Sequence, residues 1–250
     1  MPARLVTIPI SHFCEKARWA LDRAEVPYGE ERHVQLVHRV ASRRAGGRGT
    51  VPVLVAPEGV FAQSADILAY ADRHTQAGSR LYPEEPGLRA EVVALERGFD
   101  ADLGPEARRW AYFHILSRRD LGTAYNCTGV PAWERRAFPL MLGAMAGYIR
   151  HLFAIGPETG VQAGAAVQRT FDAVAARLED GRRYLCGDAF TAADLAFAAL
   201  AAPAIAPPEY GTPLPPPDEM PAEMAAGVRA FRAHAAGAFA CRLFREERQL

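Results

Sequence analysis

Two side chains suited to anion or sulfur chemistry, Ser11 and Cys14, stand three residues apart in the stretch I-P-I-S-H-F-C-E-K-A-R-W-A-L (8–21). The run Leu5, Val6, Thr7, Ile8 reads as a strand and stops at Pro9. Helical spacing then takes over at Phe13, Ala17, Ala20, Leu21 and Ala24. A strand feeding straight into a helix gathers backbone N–H groups and the positive end of the helix dipole at one point, which suits an anion. Ser11 sits at that junction, where a serine serves equally well as a plain N-cap. Cys14, one turn further on, is either a packed core thiol or the surviving thiol of a C-x-x-C redox pair.

Composition narrows what such a site serves. At 250 residues the chain exceeds the ~100–200 of one ordinary domain, so one large or two small domains are expected. Lys plus Arg equals Asp plus Glu at 29 each, which removes the bulk electrostatic drive toward nucleic acid or an anionic membrane. There is no long apolar run, and the first ten residues lack the zones of a signal peptide, so a soluble cytoplasmic protein is expected. Cys14, Cys127, Cys186 and Cys241 are scattered, with no C-x-x-C pair and no histidine at ligand spacing. Reduced thiols follow, without a disulfide framework or a metal site.

The elements that must position Ser11 read in order. Tyr28 to Val34 forms a second strand, parallel to the first across the helix. The basic, glycine-rich stretch 36–49 is a short helix or an exposed loop, Val51 to Val55 a third strand, and Gly59 to Phe61 a fourth that closes a hairpin. Ser64 caps a helix running to about His74. A Pro-containing linker follows, and the rest is helical. One face is carried by Leu88, Val92, Leu95, Phe99 and Leu103, another by Phe138, Met141, Met145, Tyr148 and Leu152, and a third by Val167, Phe171, Val174 and Leu178; the three are expected to share one core. Thr191 with Asp194 is a strong helix start, with Phe190 placed to staple against Leu195. Eight prolines in 203–221 predict an extended, irregular segment available to a partner.

A β-α-β-α-β-β-α domain (1–78), a linker (79–87) and an all-α domain (88–250) together resemble the cytosolic glutathione transferases. Four motifs carry the resemblance over nearly the whole chain. S-H-F-C-E-K-A-R-W-A-L looks like the serine-type active-site helix and T-V-P-V-L like the cis-proline segment; Q-S-A-D-I looks like the γ-glutamyl site and G-D-A-F-T-A-A-D like the capping motif of the helical domain.

The resemblance implies a thioredoxin-like domain that binds glutathione as cosubstrate, a homodimer, and detoxifying transfer of the glutathione thiolate to a hydrophobic electrophile. It implies Ser11 as the catalytic residue, with Val51, Pro52, Gln63 and Ser64 holding glutathione and Asp66 near its ammonium. The acceptor pocket would draw on His12 and Phe13 and on the helix with Trp110, Tyr112 and Phe113. The cluster Arg39 to Arg48 would offer a cation to the glycine carboxylate. His12 departs from the family, which often has proline there. Two other readings stand beside this one: a non-catalytic scaffold of the same fold, and a glutathione-dependent thiol oxidoreductase acting through Cys14.

Overall fold

A computed structural model describes residues 2–75 and 79–248; the domain boundary expected at residue 78 and the chain ends at 1 and 250 lie outside them. β1 (Ala3–Thr7) pairs in parallel with β2 (Tyr28–Arg32) across the crossover helix α1 (His12–Arg23). On its other edge β1 pairs antiparallel with β3 (Val53–Ala56), which turns back into β4 (Gly59–Phe61). The order β2-β1-β3-β4, with α2 (Val37–Arg44) before β3 and α3 (Ser64–His74) after β4, is the expected thioredoxin-like arrangement. Both faces of this sheet are covered, so alternate side chains enter different clusters. Leu5 and Leu54 join the main core, while Val6 and Val53 pack with Ala45 on the opposite face.

The helical part begins with α4 (Pro86–Gly98), which passes through a π turn (Phe99–Leu103) into α5 (Gly104–Ile115). There follow α6 (Arg119–Asn126), α7 (Ala132–Leu152), α8 (Pro157–Arg177), α9 (Ala192–Ile205), α10 (Ala222–Ala233) and α11 (Ala235–Glu247). α9 is apolar on every side and is the central rod against which α1, α4, α5, α10 and α11 pack. It opens with the expected capping box: Asp194 accepts from the Thr191 N–H at 2.9 Å and from the Leu185 N–H at 2.7 Å. Burial nonetheless pushes the Asp194 carboxyl up to about 6. No single helix among the described residues is long and apolar enough to cross a membrane.

Two expectations are corrected. α7 does not share the main core. Its buried residues Phe138, Leu142, Met145 and Ile149 form a separate cluster with Val34, Cys127 and Val130, while Tyr148 and Leu152 stay half exposed. Tyr112 of α5 and Leu116 just after it pack against this second cluster. Pro203 lies inside α9, where proline in a last turn costs one helical hydrogen bond against a fully buried helix. The irregular chain beyond it is held in part against the start of α1 and the loop before it: the Tyr210 hydroxyl donates to Ile10 O (3.2 Å), the Gly211 N–H to Glu15 Oε1 (3.1 Å), and the Thr212 hydroxyl to Pro9 O (2.9 Å).

Candidate active site

Ser11 is the N-cap of α1, in extended backbone (φ −74°, ψ 120°). Its carbonyl accepts from the Glu15 N–H at 2.9 Å, and its hydroxyl oxygen accepts a long hydrogen bond from the Cys14 N–H at 3.4 Å. A hydroxyl that accepts from an amide still has its own hydrogen to donate. Capping the helix and donating to an anion are therefore compatible at this one atom.

The charged residues of α1 hold it in place. Glu15, Lys16 and Arg18 are all buried and all paired. Glu15 bonds Arg18 Nε at 2.9 Å and Arg248 Nε at 2.8 Å; Arg18 continues to Glu30 at 2.9 Å and donates to Pro9 O at 2.9 Å. Lys16 reaches Asp100 at 2.7 Å and Glu96 at 2.9 Å, on the helical part. Burial pushes the Glu15 carboxyl up, but Arg18 and Arg248 more than offset this and leave it below the ordinary range. α1 is thus pinned from the sheet, from α4 and its π turn, and from the C-terminal tail.

A cavity of about 670 Å³ opens beside Ser11. Its sheet side is formed by Ile10, Ser11, His12 and Phe13 at the start of α1 and by Gly49, Thr50 and Val51 before β3. The Val51–Pro52 peptide bond is cis, and Pro52 lies buried behind Val51. Ser42 shapes the approach, donating to Thr50 O at 2.7 Å and accepting from the Gly49 N–H at 3.0 Å. Gly49 has the left-handed φ of +92° that this turn requires. A Cβ at Gly47 would lie 2.6 Å from Ser42 Oγ, so the glycines of the basic loop are there for close approach. Of the arginines in the cluster Arg39 to Arg48, Arg39 lines the cavity, donating to the Tyr148 hydroxyl at 3.2 Å.

The opposite wall comes from α5, α6, α7 and the segment 206–224. His12 bridges the two sides: its ring Nε2 lies 2.9 Å from Gly104 O, at the start of α5. Burial and the nearby Arg108 bring the His12 ring down to about 3, so it is neutral and donates Nε2–H to that carbonyl. That tie to α5 is what stands where the family often has proline. His38 and Gln35 also face the cavity; His38 Nδ1 and Gln35 Oε1 are buried without hydrogen-bond partners. Burial lowers the His38 ring to about 4.

The model of the glutathione S-transferase N-terminal domain matches residues 5–79, and that of the C-terminal domain matches residues 132–237. The chain belongs to the glutathione S-transferase family. Among solved structures it is similar to a glutathione transferase from Phanerochaete chrysosporium at 20% identity and a TM-score of 0.62, covering 100% of this chain and 98% of that one. It is also similar to a possible glutathione S-transferase from Rhodopseudomonas palustris (18%, 0.57, covering 99% and 95%). A third is a glutathione S-transferase from Methylobacillus flagellatus with GSH bound (16%, 0.56, covering 99% and 100%). At these identities the likeness is one of fold. No curated protein matches the chain in sequence.

In this glutathione S-transferase family member Ser11, His12, Phe13 and Val51 meet on one cavity, whereas other expected residues lie elsewhere. Gln63, not Ser64, is the N-cap of α3; Ser64 is its first residue and buried, and neither is on the cavity lining. No side chain caps α3, so its first-turn N–H groups keep the anion-binding character of a helix N-terminus, beside Asp66. Cys14 is fully buried behind Ser11 and off the lining; burial pushes its thiol up to about 11 despite Arg18 nearby.

Trp110 and Phe113 turn away from the cavity. The Phe113 ring occupies the space that Gly160 leaves on α8, and Trp110 packs against Gly164, Gly227 and Phe231. The face of α5 that lines the cavity is Arg108, Ala111, Tyr112 and Ile115. That i, i+3, i+4, i+7 spacing is visible in the sequence, but the more aromatic neighbouring face draws attention first.

Proposed function

We propose that this glutathione S-transferase family member conjugates the thiolate of glutathione to the electrophilic carbon of an apolar acceptor. The observation that carries the reading is Ser11: a helix-capping hydroxyl with a hydrogen left to donate, on a cavity wall next to Val51 and the cis Pro52. Only the thiolate is a competent nucleophile, and an unperturbed thiol titrates near ~8.5. A hydroxyl donor and the N-terminal amides of α1 both favour the anion. The backbone at Val51 would pair with the cysteinyl part as an added strand does. Gln63 and Ser64 would receive the γ-glutamyl group at the uncapped start of α3. Gln35, His38 and Arg39 face the same cavity and would serve the glycine end. In the reaction the sulfur forms a bond to carbon while the leaving group departs with the electron pair of the bond it breaks.

Support for Ser11 over Cys14 comes from burial, since a thiol raised to about 11 is neither exposed nor ionised near neutral pH. On the same reading the protein is a cytoplasmic homodimer with detoxifying activity, as the family habit has it. Light scattering would test the dimer.

The purified protein should be retained on immobilised glutathione, gain heat stability when glutathione is added, and conjugate chlorodinitrobenzene. Ser11→Ala should keep the fold and lose most turnover; a fully active Ser11→Ala protein would sink the assignment. Absence of both retention and heat-stability gain would favour a scaffold of this fold instead.

A further inference from the structure

Of the charged residues on α5, Arg108 is the one that lines the cavity. Its guanidinium carbon lies 4.3 Å from the centroid of the Phe153 ring and 6.0 Å from that of Phe13. Phe153, and more distantly Phe13, compensate part of its lost hydration. Arg108 Nε is buried without a hydrogen-bond partner, and no carboxylate pairs with this side chain among the described residues. Glu106, the acidic residue of the same helix, is turned to Arg109. Arg108 as a whole is half-buried, but a guanidinium nitrogen buried without a partner on a cavity wall is costly, and it points to an anion that arrives later.

The rest of the lining agrees. Arg39, Arg108, Arg118, Arg119 and Arg150 border the cavity and no Asp or Glu among the described residues does, in a chain whose acidic and basic residues balance at 29 each. Arg39 stands on the sheet side, where glutathione would lie. The other four stand on the helical side, and Arg118 there is already neutralised by Asp120. Next to Arg108 stand Phe13 and Phe153, with Tyr112 one turn on and His12 nearby, and the lining also carries the apolar side chains of Ile115, Met145 and Met220. Such a lining suits an apolar body that carries a negative group.

We propose that the acceptor of this enzyme is an aromatic electrophile carrying a carboxylate, and that Arg108 binds that carboxylate through its planar N–H edge. The proposal rests on the transferase reading above, with the glutathione thiolate presented at Ser11. A guanidinium suits a carboxylate because both are planar and pair through two parallel hydrogen bonds. The electrophilic carbon is then held at the Phe13 end of the cavity, toward Ser11.

The test compares a chlorodinitrobenzoate with its methyl ester, which keeps the ring and the leaving group but removes the charge. In the wild type the KM for the acid should lie at least about tenfold below that for the ester. Arg108→Gln should bring the two KM values together, and Arg108→Lys should restore part of the preference, because it keeps the charge without the planar edge. Equal KM values in the wild type, or a preference that survives Arg108→Gln, would overturn the proposal. So would a loss in Arg108→Gln that is the same for both acceptors and accompanies a raised thiol pKa of bound glutathione, since Arg108 would then act on the sulfur.

Calorimetry with dinitrobenzoate and its methyl ester, neither of which has a leaving group, separates the two readings. Conjugation of the ester without any preference for the acid removes the carboxylate proposal and leaves the transferase standing. No conjugation at all, with Arg108-dependent binding of dinitrobenzoate, removes the transferase reading and keeps the anion site.

Discussion

On the α1 side of the cavity the chemistry is carried by backbone and by a cap. Ser11 stands at a helix start held by buried ion pairs to three separate parts of the chain. On the α5 side the proposed chemistry rests on one side chain, Arg108, which lies against Phe153 with its Nε buried and unpaired. The first wall is fixed in one arrangement, as a group that must orient a reacting sulfur requires. The second resembles a receptor surface, complementary to something that comes and goes. The contrast teaches that the same buried charge can be structural or functional, and that its partner decides which.

Removing a partner from the fixed wall should have the largest effect. Glu15→Ala leaves Arg18 and Arg248 without their shared carboxylate, a loss of about 3–5 kcal/mol. For a chain of this length that corresponds to a melting temperature lower by about 10 °C. A drop of under about 2 °C would mean that α1 is held by apolar packing and not by its charges.

Ser11→Ala comes next. Loss of one donor to a developing or bound anion costs about 10²-fold in turnover with little change in stability. Thermal melts and initial rates on the same preparation check both halves. The fold should be untouched, because the hydroxyl caps α1 only through a long hydrogen bond of 3.4 Å.

His12 tests the bridge between the walls. Its folded-state value of about 3 lies below the ordinary 6.5, so the folded protein binds fewer protons than the unfolded chain between those values. Stability from this group is complete above about pH 6.5 and is lost as the pH falls, at about 1.4 kcal/mol per pH unit. His12→Asn keeps a side-chain donor but cannot titrate, so the gap between the wild-type and variant unfolding free energies should narrow from about pH 6.5 to about pH 4.5 in urea titrations. A parallel pair of curves would show that the ring is protonated or solvated in the folded state.

Cys14 should matter least. Cys14→Ala is expected to keep turnover within about twofold, under ~0.5 kcal/mol in barrier. The wild-type thiol should stay unmodified after treatment with oxidised glutathione, as mass spectrometry would show. A mixed disulfide at Cys14 would transfer the chemistry from the cap to the thiol and undo the contrast between the walls.

The strand–helix junction, the β3–β4 hairpin, the start of α9 and the place of Ser11 were all legible in the sequence. Each depends on neighbours within a few residues: a proline that stops a strand, a period that changes from two to 3.6, a Thr–Asp capping pair. The direction of α5 was not legible at that level. Leu103, Ala107 and Trp110 face the core and Arg108, Ala111, Tyr112 and Ile115 face the cavity, and both stripes keep helical spacing.

Which stripe is buried was settled by glycines far away in the chain, Gly160 and Gly164 on α8, which leave room for Phe113 and Trp110. The ionic frame around α1 was equally hidden, because its partners lie 84 and 233 residues away, at Asp100 and Arg248. Local sequence therefore determined that a helix start with a capping hydroxyl, suited to an anion, stands at Ser11. Tertiary packing decided that Arg108, a cation with no carboxylate partner among the described residues, lines the same cavity, because side-chain direction on a helix is set by what the helix packs against.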